Sequence, residues 1–221
     1  MVKWFGARKG TQTVGTRGRP RTFDRTAALD RAMQVFWERG YEGTSLTDLT
    51  TAMGIASPSL YAAFGNKEAL FREAVAHYNA THGAVPQRTL EQAPTARAAI
   101  EALLQHNAYA YVEPGHPTGC LVLLAATTGA VENDHIRQFM TACRTEDLAT
   151  LQRRIERGVA EGDVPPDTDS AALARFITAV LQGMSAQARD GADQTALSDV
   201  VAYAMAAWDA VTGRPIGAAD S

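Results

Sequence analysis

Apolar residues recur at helical spacing through most of the chain. Leu29, Met33, Phe36 and Trp37 fall on one stripe, which predicts a helix over about Phe23–Arg39 with Gly40 as its stop. Leu46, Leu49 and Met53 form the inner face of a short second helix over Ser45–Met53. Ser45 and Asp48 make a capping-box-like start for it, with Thr44 as the other candidate cap. After Gly54, a third helix opens with Ser57 as cap and Pro58 at the first helical position, where a missing N–H costs nothing, and it closes near Phe64-Gly65. A fourth runs from beyond Asn66 through Phe71, Val75 and Tyr78 to about Ala80. The segment Gly83–Pro94 reads as a loop. Helices are expected again over Thr95–Val112, Gly119–Gly129, Asp134–Ala160, Asp169–Arg189 and Asp193–Val211. Breaks at Pro114-Gly115-His116-Pro117 and at Gly162–Pro166 separate them. No strand pattern and no internal repeat stand out, so the fold class is all-α.

Composition adds a polarity to this layout. The 221 residues are 46% apolar, enough for a sizeable core, and no apolar run approaches the length of a membrane span. Residues 1–72 carry 11 Lys and Arg against 6 Asp and Glu, whereas the remainder carries 10 against 18. A basic first third on an acidic body suits one end meeting a polyanion. Residues 1–21 lack apolar periodicity and read as a flexible basic arm, without the apolar stretch of a secretory signal. The cytoplasm is the expected location. Two cysteines, Cys120 and Cys143, make no disulfide framework.

The second and third helices are short and joined only by Gly54-Ile55-Ala56. That is helix-turn-helix geometry, in which the second helix enters the major groove of DNA. Ser57, Ser59, Tyr61 and Ala62 should be its exposed side chains; Ser can bond several base edges and Ala can meet a thymine methyl. The stretch from Phe23 to Phe71 closely resembles the N-terminal DNA-binding domain of the TetR family of regulators. Phe36, Gly40, Tyr41, Thr44, Ser45, Leu49, Gly54, Ser57, Leu60, Tyr61, Phe64, Lys67, Leu70 and Phe71 carry the resemblance in order and spacing. It implies phosphate contacts at Tyr61, at Thr44 and Ser45, and at Lys67. Arg19 and Arg21 of the arm can follow phosphates or enter a minor groove. The division expected is an arm over 1–21, a DNA-binding domain over 22–68, a ligand-binding and dimerisation domain over 69–212, and a disordered tail over 213–221.

The partners expected are a palindromic double-stranded DNA operator, a small-molecule effector and a second copy of the chain, with no membrane. Ala172, Phe176, Ala179, Gly183 and Ala186 form a stripe of mostly small residues that permits close helix approach. Leu197, Val201, Ala204, Trp208 and Val211 form a second stripe on the last helix. The resemblance implies a four-helix bundle across a two-fold axis, built from these helices. It also implies a pocket in the middle of the body, for which the candidates are Phe71, Tyr78, Leu103, Asn107, Tyr111, Cys120, Leu124, Phe139 and Met184. Cys120 follows His116-Pro117-Thr118-Gly119 near a helix start, where the dipole favours a thiolate. A Cys120-based redox or electrophile sensor is therefore an alternative to reversible ligand binding. A helical interaction protein without DNA binding is a further one. No catalytic constellation, metal-ligand spacing or cofactor motif emerges.

Overall fold

A computed structural model of the chain describes residues 23–124 and 133–213, with the side chain of Leu124 not described. The basic arm with Arg19 and Arg21, and the tail beyond Gly213, lie outside the described residues. The described residues form ten helices: α1 Arg25–Arg39, α2 Leu46–Met53, α3 Ser57–Phe64, α4 Lys67–Thr81, α5 Ala84–Gln92, α6 Ala96–Ala110, α7 Leu121–Leu124, α8 Asp134–Glu161, α9 Ser170–Arg189 and α10 Gln194–Val211. None of them is long and apolar enough to cross a membrane.

Caps explain most boundaries. Asp24, Ser45, Asn66, Thr95, Asp169 and Asp193 each accept a hydrogen bond from a first-turn N–H of the helix that follows. Two expectations are corrected. The segment after Gly83 is not a plain loop but contains α5, whose single buried residue, Leu90, leaves no periodic stripe to detect. Ser57 is not the cap of α3: Ala56 holds that position without a side-chain bond, and Ser57 is already helical. Of the helix expected over Gly119–Gly129, α7 is described and residues 125–132 are not.

Two apolar cores result. The first joins Phe36 and Trp37 of α1, Leu49 of α2, Leu60 and Phe64 of α3 and Leu70 to Tyr78 of α4. Leu121 and Val122 of α7, with Ile136 and Met140 of α8, complete it. The DNA-binding segment thus shares its core with the start of the body. The second core fills the space among α5, α6, α8, α9 and α10. Arg97 of α6 clamps α10 through a two-pronged pair with the buried Asp209, at 2.7 and 3.0 Å.

Candidate nucleic-acid interface and sensor cavity

α2 starts with a complete capping box. The Ser45 hydroxyl accepts from the Asp48 N–H (3.0 Å) and the Ser45 N–H donates to Asp48 Oδ2 (2.8 Å). Arg39 adds a bond to Asp48 Oδ1 at 2.8 Å. The hydrogen bonds from Ser45, then the Arg39 guanidinium, hold the Asp48 carboxyl below the usual range. The Ser45 hydroxyl also donates to Asp48, at 2.6 Å, so its donors already face a carboxylate. Thr44 is 1% exposed and its hydroxyl donates to the Gly40 carbonyl at 2.7 Å. The expected phosphate contact through the Thr44 hydroxyl is therefore corrected: that group is buried and spent on the turn. Thr47, on the first turn of α2, is exposed instead.

Gly54 makes the turn at φ 67°, in the left-handed region that a side chain strains. It delivers α3 with Leu60 and Phe64 inward. Ser57, Pro58, Tyr61 and Ala62 face out, and Ser59 is half-buried. Tyr61 is 47% exposed, a large aromatic surface that the fold itself does not use. Pro58 on this face was not among the expected contacts. Lys67 opens α4 with its ammonium 4.3 Å from the centre of the Tyr41 ring. Burial lowers its pKa and Glu42 opposes that shift. Arg25 braces the other side, donating to Glu73 (2.7 Å) and to the Ala63 carbonyl (3.2 Å) while lying over Phe64.

The body holds a half-open cavity of about 570 Å³ bounded by α4, α5, α6, α8 and α9. Of the pocket candidates, Tyr78, Leu103, Asn107, Tyr111 and Cys120 line it. Phe71, Phe139 and Met184 do not. Phe71 is fully buried against Phe36 and Tyr41. Phe139 carries the Arg72 guanidinium over its ring at 4.3 Å, and Met184 is sealed in the second core. Among the lining residues missed are Pro86 and Leu90 of α5, Asp147, Leu151 and Arg154 of α8, and Thr178 and Leu181 of α9. Asp147, Leu151 and Arg154 stand at i, i+4 and i+7, one face of a helix, but the charged ends of Asp147 and Arg154 hide the stripe from any apolar pattern.

Asp147 is open to the cavity, yet its carboxyl is pushed up to about 6, by burial and then by Glu146, against the pull of Arg144. Cys120 corrects another expectation. The N–H groups of Val122 and Leu123 do face its sulphur, which is the helix-start effect foreseen. Burial outweighs them and raises the thiol. The Tyr78 hydroxyl donates to the sulphur at 3.4 Å, and the Cys120 N–H donates to Ser185 at 2.8 Å. His116 points its ring nitrogens at Glu113 and the Pro117 carbonyl rather than at the sulphur. Both cysteines are free thiols.

On α9, Ala172, Phe176, Ala179 and Ala186 are exposed and Gly183 is half-buried, so the small-residue stripe is an open surface. On α10 most of the expected stripe is turned inward: Leu197, Val201 and Trp208 are 0%, 5% and 1% exposed and fill their own core. Val211, the last residue of that stripe, is open at 63% exposure, and Tyr203, outside the stripe, is open at 80%.

Comparison with known proteins matches both halves. The family model "Bacterial regulatory proteins, tetR family" matches residues 28–74, and "Tetracyclin repressor-like, C-terminal domain" matches residues 96–204. The HTH-type transcriptional repressor ComR of Escherichia coli (strain K12) is 35% identical over 204 residues, covering 91% of this chain and 97% of that one. An uncharacterized HTH-type transcriptional regulator, YezE of Bacillus subtilis (strain 168), is 32% identical over 196 residues, covering 87% and 100%. Among solved structures, a cysteine mutant of the TetR family transcriptional regulator CifR complexed with 26 bp operator DNA is 49% identical. It superposes with a TM-score of 0.84 over 86% of this chain and 100% of that one.

Proposed function

The chain belongs to the TetR family of bacterial regulatory proteins, and from that premise we propose that it is a homodimeric repressor released from a palindromic operator by a small molecule. It is a DNA-binding transcription regulator and not an enzyme. The observation that carries the reading is α3: a short helix set by the Gly54 turn, buried on its Leu60–Phe64 side and bare on its Ser57–Tyr61 side. In this reading Ser57, Ser59 and Ala62 meet base edges, with Pro58 beside them. Tyr61, Lys67 and the arm residues Arg19 and Arg21 meet phosphates. Free N–H groups in the first turn of α2, beside Thr47, add to the phosphate grip.

Two copies pair through the open faces of α9 and α10, with Phe176, Ala179, Gly183 and Tyr203 in the seam. The effector occupies the cavity of about 570 Å³, its apolar body against Leu90, Leu103, Leu151 and Leu181 and its polar groups toward Tyr111 and Asp147. It acts by binding better to a conformer whose two α3 helices are spaced wrongly for the operator. Relatives named as repressors, and a relative solved on operator DNA, support this direction of control.

The test is anisotropy of labelled duplexes taken from the DNA upstream of the chain's own gene. Binding should select one imperfect palindrome over scrambled duplexes and weaken steeply with salt. Equal affinity for the palindrome and its scrambled form would overturn the reading.

A further inference from the structure

The DNA-reading head and the body meet at the end of α1. A helix leaves its last carbonyls without internal partners, so something outside must satisfy those of Trp37 and Glu38. Arg189, in the last turn of α9, does so from 152 and 151 residues along the chain: Nη2 donates to the Trp37 carbonyl, and Nη1 lies 3.5 Å from the Glu38 carbonyl. A planar guanidinium fork suits two neighbouring carbonyls, and its charge suits the negative end of α1. The ring of the same Trp37 is stacked on His116 at 4.9 Å and meets Tyr78 and His82 edge-on at 4.8 and 4.9 Å. Tyr78 and His82 also line the large cavity. One residue of the head is thus held by its backbone from the helix with the open pairing face, and by its ring from the cavity wall.

We propose that Arg189 is a positioning residue that sets the angle at which each head leaves the paired body, and so fixes the half-site spacing of the DNA the protein selects. The inference rests on the dimeric DNA-binding reading above. Its physical basis is leverage. In the proposed dimer the pairing face of α9 lies at the two-fold axis, whereas α3 packs on α2 and α4 of the head, the unit to which α1 belongs. A small rotation of α1 against α9 therefore displaces the two α3 helices relative to each other while leaving each one intact. Arg189 is exposed and belongs to neither apolar core, so it adds direction to the joint without carrying the fold.

The test is selection from a random-core duplex library with the full-length wild-type chain, Arg189→Ala and Arg189→Lys, followed by affinity for the recovered palindrome and for a single half-site. Wild type should recover one half-site separation. Arg189→Ala should recover the same half-site sequence over a spread of separations and bind the wild-type palindrome at least about fivefold more weakly. Its half-site affinity should be unchanged and its Tm should move by less than about 3 °C. Arg189→Lys, which keeps the charge but not the fork, should fall between. An Arg189→Ala chain with wild-type spacing and affinity overturns this inference alone. So does one that loses half-site binding equally, because that marks damage to the head itself. A wild-type chain that recovers no paired half-sites overturns the dimeric DNA-binding reading and this inference with it.

Discussion

At the residue scale, two side chains separate function from folding. Tyr61 is 47% exposed and is not part of the head's apolar core, so Tyr61→Ala should leave Tm nearly unmoved. It should weaken operator binding by about 1–2 kcal/mol through the lost phosphate contact, measured by anisotropy at fixed salt. Asp147 gives a test by pH. Its folded pKa of about 6 lies above the ordinary carboxylate value, so the folded chain holds a proton that the unfolded chain has released. Its stabilising contribution is present below the unfolded pKa and is lost as pH rises through about 6. Asp147→Asn should therefore raise stability near pH 8 by about 1 kcal/mol, a figure kept small because cavity water screens the carboxyl. The gain should vanish near pH 4, and paired thermal melts at the two pH values check the sign.

At the element scale, packing identifies positions with no room to spare. A Cβ on Gly158 of α8 would lie 2.6 Å from Asp163 Oδ1 and 2.7 Å from Ala96 Cβ. Gly158→Ala should cost about 1–3 kcal/mol in chemical denaturation, by pushing α8 off the α6 start. Legibility in the sequence follows the same physics. α2 and α3 could be read because Ser45, Asp48, Gly54 and Pro58 are local signals, and because DNA contact demands exposed residues on one face. α5 could not, since Leu90 alone is buried in it. The cavity was legible where it is walled by Tyr78, Leu103 and Tyr111 of apolar stripes. It was hidden on α8, whose inward residues Asp147 and Arg154 look like surface. Leu197, Val201 and Trp208 misled for the opposite reason: a core and a pairing face both select apolar residues, and spacing alone does not tell them apart.

At the scale of the whole molecule, the open faces of α9 and α10 carry the oligomeric claim. Phe176 is 39% exposed and Tyr203 80%, on elements whose other sides are sealed in the second core. A charge placed there should break a dimer without unfolding the chain. Phe176→Glu with Tyr203→Glu should give a helical monomer in sedimentation, and it should lose tight binding to the full operator while its α3 remains intact.

Hydroxyl-radical footprinting of the wild-type chain on its selected duplex, with the mass of the complex taken from the same sample, asks whether two copies place their α3 helices on one duplex. Two symmetric protected patches flanking successive major grooves and an even number of chains per duplex are expected, with both patches fading in Tyr61→Ala at the concentration that half-saturates the wild-type site. A single patch bound by one chain, or protection indifferent to Tyr61, would contradict the dimeric DNA-binding reading.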